Sequence, residues 1–340
     1  MERSIIGIDL AKSVFQLHAG DASGRVLWRK RLRREELAEF LSQQPASVIG
    51  MEACGTAHYW GRVLSAQGHT VGLMHAKYVK AYVKRGKSDR RDAEAIWEAV
   101  QRPNMRFVPV KSVELQVARS LERSRELLVK QRTQLVNAVR GLLAEMGIVA
   151  GVGVRGFKTL VDRIDGGDPA IPSLLLSALR PLLEQWRSAS ASIDALEARI
   201  IACAKADERM RRLQQIPGVG PLIAHALVSA IGDPHRFASA RDCAAWIGLT
   251  PLTHSSAEKT RIGHISRQGD HSLRRLLVLG AANLTRRARV KPAHASGWLQ
   301  GIMARRPIKV ATVALAAKIA RIAWAILCSG DTYRGAAVRA

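Results

Sequence analysis

The sequence predicts a mixed α/β sheet domain followed by a mainly helical remainder. In the first hundred residues, short apolar runs typical of strands alternate with helical stretches in the order β-β-β-α-β-α-β-α. From about Ser112 the strand signals stop and helical patterns replace them. We therefore expect an α/β domain over residues 1–110, a helical arm over 111–212 and a C-terminal domain over 213–340.

Each element of the first domain has a local reason in the sequence. Two β-rich runs flank the turn-forming segment Asp21–Gly24 and predict a hairpin. Ser88 is the expected N-cap of a helix whose first turns are acidic. The predicted strands are Ser4–Leu10, Val14–Ala19, Arg25–Arg31, Ser47–Glu52 and Thr70–Met74, and the predicted helices are Glu35–Leu41, His58–Ala66, Tyr78–Val83 and Asp89–Val100.

The arm is predicted from an apolar repeat of seven residues, which is typical of a long helix packed against a partner helix. A glycine-rich break over Gly147–Gly156 separates this helix from a second helical pattern, Ser173–Arg212. We expect an antiparallel, coiled-coil-like pair, although Arg125 and Arg132 fall where a second apolar seam would lie. The repeat consists of Leu121, Leu128, Leu135 and Leu142, extended by Val139 and Met146.

Two segments of the C-terminal domain are expected to be loops. The residues Ile216–Gly220 (IPGVG) lie between two helical patterns and suit the loop of a helix-hairpin-helix unit, whose backbone N–H groups can bind a phosphate. An ordinary Gly-Pro turn between core helices explains the same residues equally well. Gly248–Asp270 is rich in Gly, Pro and small polar residues, which predicts a loop between helices.

The charge of the chain points to an anionic partner. The 340 residues include 53 Lys and Arg against 28 Asp and Glu, a formal net charge of +25, while an apolar fraction of 47% excludes wholesale disorder. Nucleic acid is the leading partner, and an anionic membrane surface is the weaker alternative. The four cysteines form no CxxC pair, so a zinc ribbon and a disulfide framework are not expected.

Nothing in the sequence favours export or membrane insertion. The N-terminus carries Asp9 and Lys12 where a signal peptide needs an apolar core. The longest apolar stretch, Ala311–Leu327, is interrupted by Lys318 and Arg321, and we interpret it as too short and too charged to span a bilayer. We expect a soluble protein of a reducing compartment.

Four acids of the first domain are candidates for a metal site. Asp9 lies within an apolar strand, Glu52 ends another, and Asp89 and Asp92 share one helix face. Oxygen ligands alone suit Mg²⁺ or Mn²⁺, and a pair of such ions can clamp the attacking and leaving oxygens of a phosphodiester. The alternative is that the strand acids are solvated and that Asp89 and Asp92 pair with neighbouring arginines.

Basic residues flank these acids and fill the segment after Gly248. Between Lys259 and Lys309 the only acid is Asp270, an imbalance that favours phosphate contact. Ser255 and Ser256 lie beside these cations and could attack a phosphodiester, but paired serines in a loop more often serve as a turn or a helix cap. The candidate nucleic-acid contacts are Lys84, Arg85, Lys87, Arg90, Lys259, Arg261, Arg267, Arg274 and Arg275.

An ordered set of motifs over nearly the whole chain resembles the IS110-type transposases, especially their IS1111-like branch. Each motif is modest alone, whereas the ordered set is highly specific. The motifs are GIDLAK (Gly7–Lys12), MEACGT (Met51–Thr56), KSDRRDAEAI (Lys87–Ile96), IPGVGP (Ile216–Pro221), AAWIGLTP (Ala244–Pro251), SSAEKTRIGHISRQGD (Ser255–Asp270) and LRRLL (Leu273–Leu277).

The resemblance implies a RuvC-like, ribonuclease-H-type domain with an Asp-Glu-Asp-Asp tetrad that holds Mg²⁺, or alternatively Mn²⁺. By motif these residues are Asp9, Glu52, Asp89 and Asp92. It also implies a catalytic serine in the C-terminal domain, five positions after the Pro of GLTP. That residue is Ser256, with Ser255 as the second choice.

The resemblance further implies a site-specific recombinase of a bacterial insertion sequence. Its partners would be donor DNA, target DNA and a non-coding guide RNA (a bridge RNA), and it would act as a homo-oligomer, a dimer of dimers, in the cytoplasm with the nucleoid. Two alternatives stay open from the residues. One is a RuvC-type, Mg²⁺-dependent DNA nuclease without a covalent serine step, and the other is a non-enzymatic nucleic-acid-binding scaffold.

Overall fold

A six-stranded mixed sheet organises the N-terminal part of the protein. The computed structural model describes residues 4–84, 89–256 and 259–334, with the backbone alone at residues 254–256, 259, 260 and 294. The chain divides into two units, Met1–Glu114 and Leu115–Ala340. The strands of the first unit are β1 (Ile5–Asp9), β2 (Val14–Gly20), β3 (Val26–Arg33), β4 (Val48–Glu52), β5 (Thr70–Met74) and β6 (Phe107–Val108).

The sheet has the strand order β3-β2-β1-β4-β5-β6. The first three strands form an antiparallel meander, β1, β4 and β5 run parallel, and β6 returns antiparallel to β5. The five strands predicted from the sequence are confirmed. Strand β6 was missed because two residues are too few to show a periodic pattern.

The helices of this unit cover both faces of the sheet. They are α1 (Leu37–Ser42), α2 (Ala57–Ala66), α3 (Ala76–Val79), which continues into the 3₁₀ turn Lys80–Tyr82, and α4 (Asp89–Val100). Helices α1 and α2 pack on one face around Phe15, Leu41 and Leu64, and α4 crosses the other face over β1, β2 and β4. All four predicted helices are confirmed, while the predicted N-cap Ser88 lies outside the described residues.

Helix α4 approaches the sheet closely because β1 and β4 carry glycine beneath it. A Cβ added to Gly7 would lie 2.3 Å from the carbonyl oxygen of Ala93 and 2.4 Å from the backbone nitrogen of Trp97. A Cβ added to Gly50 would lie 2.8 Å from Cβ of Val100. Backbone atoms cannot move aside as a flexible side chain can, so any larger residue at position 7 displaces the helix.

We expect Gly7→Ala to lower the free energy of unfolding by about 1–3 kcal/mol, because the added methyl group overpacks the contact between β1 and α4. Urea denaturation followed by circular dichroism measures this change. The matched control is Gly55→Ala, where a Cβ would meet no atom within 4 Å. Equal stability of the two variants would contradict the close-approach argument.

The described part of the second unit is mainly helical and also contains a β-hairpin. The helices are α5 (Val113–Ala144), α6 (Gly153–Asp165), α7 (Ser173–Ala206), α8 (Glu208–Leu213), α9 (Pro221–Ile231), α10 (Ala240–Ile247), α11 (His271–Val290), α12 (Gly297–Arg305) and α13 (Ile308–Ser329), with 3₁₀ turns at Pro234–Arg236 and Pro292–His294. The hairpin consists of β7 (Pro251–Ser256) and β8 (Lys259–Ile265).

Helices α5 and α7, which lie in the range predicted as the arm, run antiparallel. The Arg125 guanidinium donates to the carboxylate of Glu197 over 2.7 Å at one end of the pair. Further along, Val139 and Leu143 of α5 share a buried cluster with two leucines of α7, Leu179 and Leu183. These contacts show that the two helices are antiparallel. The ion pair with Glu197 also explains why an arginine, Arg125, lies where a second apolar seam would be expected.

Two details of the predicted arm are wrong. Leu142 and Met146, assigned to the heptad stripe, are exposed, and the buried residues are Val139 and Leu143. A helix of 3.6 residues per turn drifts away from a strict seven-residue repeat, so the contact face moves around the helix. Helix α6 was also missed, although Phe157, Leu160, Val161 and Ile164 have the spacing of a buried helical face.

The hairpin β7–β8 corrects the prediction of a loop over Gly248–Asp270. The sequence pattern of these strands is weak. A two-stranded ribbon that no other layer covers has no buried face, so apolar and polar residues do not alternate along its strands. Ile262, for example, is 73% exposed. Thr253, Thr260 and Ile262 are the β-branched residues that could have indicated strands.

The turn Ile216–Gly220 joins α8 to α9 and packs partly against α11. Ile216 and Val219 are buried, and Gly218 has a φ of +86° with Leu284 of α11 beneath it. Packing against the core therefore accounts for Ile216, Gly218 and Val219. A Cβ added to Gly220 would meet no atom within 4 Å, and a phosphate contact on that side stays a prediction.

Helix α13 is long and apolar enough to cross a membrane by length and composition alone. The judgement that this stretch was too short and too charged was therefore wrong, since the helix starts before Ala311 and ends after Leu327. In the structure α13 packs on α10 and α11 and buries Ala316, Ile319 and Ala323. The buried core helix of a soluble protein can be as long and as apolar as a membrane-spanning helix, so this feature is weak evidence for a membrane.

Candidate active site

Four acids converge at one end of the sheet. Asp9 ends β1 and Glu52 ends β4, and the register Ile8–Met51 of these parallel strands places the two acids side by side. Asp89 and Asp92 occupy the first turn of α4, which lies over β1. Carboxylate oxygens of Asp9, Asp89 and Asp92 all lie within 4.8 Å of one another.

Glu52 lies outside that close group but interacts with it electrostatically. Burial raises the pKa of Glu52, the nearby negative charge of Asp92 raises it further, and His75 acts in the opposite direction. The raised pKa means that burial and the neighbouring Asp92 carboxylate make ionisation of Glu52 less favourable than in water. A bound cation would reverse that effect, because it favours the ionised form of every carboxylate around it.

The donor set fits a hard divalent cation. Three carboxylates contribute one oxygen each within a small radius, and among the residues that the structure describes this is the group suited to hold an ion. Oxygen ligands suit Mg²⁺ and Mn²⁺, which retain several waters besides one or a few carboxylates. Asp9 and Asp92 are half-buried and Asp89 is exposed, so the group is open to solvent on one side.

The predicted cations next to the acids have different environments. Lys84 donates to Glu94 over 2.6 Å, and this bond lowers the pKa of Glu94. Lys84 is thus partly neutralised within the protein. Arg90 is exposed at the start of α4, whereas Arg85 and Lys87 lie outside the described residues.

The predicted serines lie in the second unit, on the hairpin. Ser256 is the last residue of β7 and pairs with Lys259, and Ser255 pairs with Thr260. Both serines therefore lie beside the turn of the hairpin, with the predicted contact Arg261 exposed on β8. The carboxylate group belongs to the first unit.

The base of the hairpin is held by Arg274 of α11. This arginine is 8% exposed, and its Nη1 donates to the carbonyl oxygens of Ile247 and Gln268, each over 2.7 Å. Gly248 and Gly269 allow the two connecting segments to meet here, since a Cβ on Gly269 would lie 1.8 Å from the carbonyl oxygen of Trp246. Nη1 of Arg274 is thus bound to backbone carbonyls, and a phosphate contact of this residue stays a prediction.

The other predicted contacts in this segment are more accessible. Arg267 is exposed at the base of the hairpin, and it has a φ of +54°. Arg275 lies 3.4 Å from a carboxylate oxygen of Glu126 on the arm helix α5. Lys259 is described in its backbone, as the partner of Ser256. Arg261, Arg267 and Arg275 remain predicted contacts.

A buried polar network, missed in the sequence, joins the arm to α11. Arg119 of α5 forms ion pairs with Glu122 and with Asp270, which also caps α11 by accepting from the backbone of the first turn. Glu122 in turn accepts from Ser229 over 2.6 Å and lies 2.7 Å from Nδ1 of His225. The sequence feature that could have indicated this network is Asp270 itself. It is the only acid between Lys259 and Lys309, and a single acid in a basic segment suggests a specific ion-pair partner.

Family models match both parts of the chain. Residues 6–148 match a model described as a transposase of the DEDD IS110 type, and this span contains all four acids. Residues 210–296 match a model described as the transposase IS116/IS110/IS902 family, and this span contains the turn Ile216–Gly220 and the hairpin.

Relatives that match over nearly the whole chain are also named as transposases. The chain is 46% identical over 332 residues to a putative transposase of Sinorhizobium fredii, covering 97% of this chain and 86% of the relative. It is 44% identical to a probable family 20 transposase of Pseudomonas aeruginosa, covering 98% and 99% of the two chains. It is 39% identical to the transposase for insertion sequence element IS1111A of Coxiella burnetii, covering 97% and 91%.

Proposed function

Because this chain belongs to the IS116/IS110/IS902 family of insertion-sequence transposases, which cut and rejoin DNA, we propose that it does so as an RNA-guided, site-specific recombinase with a covalent phosphoserine intermediate. The observation that carries the proposal is the convergence of Asp9, Asp89 and Asp92 within 4.8 Å at the end of the mixed sheet. We assign catalysis to residues 1–110, a helical arm to 111–212 and the serine-bearing domain to 213–340.

The four acids Asp9, Glu52, Asp89 and Asp92 hold Mg²⁺, with Mn²⁺ as a substitute. When bound, the cation supplies Lewis-acid stabilisation of the charge that develops on the phosphoryl and leaving oxygens. The four carboxylates would orient the bound cation. Burial, and after it the charge of Asp92, raises the pKa of Glu52, and a cation bound beside it would favour its ionised form. The mixed sheet and α4 position them as rigid elements.

Ser256 is the nucleophile. Its Oγ forms a bond to the scissile phosphorus while the bond to the 3′ oxygen breaks, which leaves a 5′-phosphoserine and a free 3′-hydroxyl. The phosphoester bond is thereby conserved, and attack by a new 3′-hydroxyl rejoins the strands without ATP. The two hydrogen bonds from Arg274 to backbone carbonyls support this role, because they hold the base of the hairpin on which Ser256 lies.

A net charge of +25 supports a large nucleic-acid partner. We propose that a guide RNA pairs with donor and target DNA, and that the protein binds backbones and helix shape. The serine and the carboxylates lie in different units of the chain, which is compatible with exchange between protomers in a dimer of dimers. We place this assembly at the bacterial nucleoid.

One alternative has a specific observation in its favour. The carboxylate group lies entirely within the first unit, so a metal-dependent nuclease that uses water needs no serine. Stopping the reaction with denaturant separates the two mechanisms. Labelled DNA that stays attached to the denatured protein supports the serine mechanism, whereas cleaved DNA that is entirely free supports the nuclease. Sequencing the RNA that co-purifies with the protein tests the guide.

A further inference from the structure

The edge strand β3 brings arginines close to the carboxylates. It is the first strand in the sheet order and carries a run of basic residues that includes Arg29, Arg31 and Arg33. The strand registers pair Asp9 with Gln16 and Gln16 with Arg31. Asp9, Gln16 and Arg31 therefore form one row across three neighbouring strands.

This row lies on the face of the sheet that α4 covers. Directly paired residues of neighbouring strands have side chains on the same face. Gly7, two residues before Asp9 and on the same face, contacts α4, and the Asp9 carboxylate meets those of Asp89 and Asp92. At about 4.8 Å per strand, Arg31 is about 10 Å from Asp9 between Cα atoms. About three nucleotides of one strand rise that far along a duplex.

Helix α4 contributes a third arginine to the same place. A cavity of about 70 Å³ is lined by Gln16, Arg29, Arg31 and Arg90, together with Leu17, His18 and Lys30. The Arg29 Nε donates to Nδ1 of His18 over 3.3 Å. The guanidinium groups of Arg31 and Arg90 form neither an ion pair nor a hydrogen bond within the part of the chain that the structure describes.

A solubility role alone does not explain this arrangement. Charges on an edge strand prevent edge-to-edge aggregation, and any exposed lysine or arginine of β3 would serve that purpose. Lys30 has a different environment, with its ammonium 4.4 Å from the ring centroid of Phe40. Instead, three arginines from two different elements line one cavity, and a bound anion would relieve the repulsion between their charges.

We propose that Gln16, Arg31 and Arg90 bind a backbone phosphate of the DNA strand whose scissile bond lies at the carboxylates, within about three nucleotides of that bond. The inference rests on DNA cleavage at this site. Arginine is suited to the role because its fork binds two phosphate oxygens at once. Gln16 lies between Asp9 and Arg31 in the row, and its side-chain amide donates a further hydrogen bond to the same phosphate.

The test compares Arg31→Gln and Arg90→Gln with Arg25→Gln. Arg25 is exposed at the turn of the same hairpin, at the far end of the strands from Asp9, and its loss removes the same charge. Binding is measured without divalent cation, on a duplex carrying the end of the insertion sequence with its flank, as a function of salt. We expect roughly tenfold weaker binding for each site variant, the effect of one charge-assisted hydrogen bond.

We also expect the slope of log K against log salt to decrease by about 0.9 for each site variant and to change little for Arg25→Gln. Arg31→Lys retains the charge and should retain the slope. If Arg31→Gln and Arg90→Gln bind like Arg25→Gln, the subsite is rejected. The same binding measurement is repeated with an RNA of the same sequence. If the site variants bind this RNA more weakly than the unmodified protein does but bind the DNA equally well, the assignment to DNA is rejected. The test measures DNA binding and needs no cleavage. If the serine mechanism proves wrong, the binding result therefore still decides whether the phosphate subsite exists.

Discussion

Ser256→Ala is expected to reduce the covalent protein–DNA adduct by roughly 10⁴-fold or more, the scale of effect seen when a covalent nucleophile is removed. Alanine lacks the Oγ that forms the bond to phosphorus, so the covalent link cannot form at residue 256. Residue 256 ends strand β7, where alanine fits the backbone, so the hairpin should persist. Denaturing gels with labelled DNA measure the adduct.

Ser255→Ala is the matched control, because it makes the same chemical change one residue earlier on the same strand. It should retain the adduct, and both variants should retain binding of RNA and DNA. An undiminished adduct from Ser256→Ala would reject the assignment, and loss of the adduct only in Ser255→Ala would transfer the role to that residue.

Asp9→Asn is expected to reduce strand cleavage by roughly 10²–10³-fold or more, the size of effect found when one charge-stabilising group is removed from an active site. Asparagine has nearly the same shape, but it removes one negative charge from the group shared with Asp89 and Asp92. Weaker Mn²⁺ binding by calorimetry should accompany the loss, while assembly with nucleic acid remains intact.

Glu98→Gln provides the comparison for Asp9→Asn. Glu98 is an acid on the same helix α4, it pairs with Arg102, and it lies outside the carboxylate group. Its variant should cleave DNA and bind Mn²⁺ like the unmodified protein. Normal recombination by Asp9→Asn would exclude the metal role of these acids.

The local elements of the first unit could be predicted because buried strands and an amphipathic helix have patterns within a few residues. Asp9 and Glu52 were identifiable as acids at the ends of apolar strands, and the register of β1 and β4 then places them side by side. The contact of Gly7 with α4 was not predictable, because it joins segments more than 80 residues apart. The row from Asp9 to Arg31 likewise depends on pairing across three strands.

Charge was a less reliable guide to the role of a residue. Arg274 belongs to the most basic segment of the chain, yet it is buried and holds backbone carbonyls. Arg31 was overlooked, because a basic strand is ordinary until its neighbours are known. The hairpin bearing Ser256 had no apolar alternation to indicate it, since it forms a ribbon outside the main sheet.

The most direct test of the metal site is an anomalous difference map from crystals of the protein grown with Mn²⁺. Our account predicts a peak between the carboxylates of Asp9, Asp89 and Asp92, with Glu52 beside it, and no peak there in Asp9→Asn. A fully occupied Mn²⁺ site elsewhere in the protein, with no density among these acids, would contradict the account.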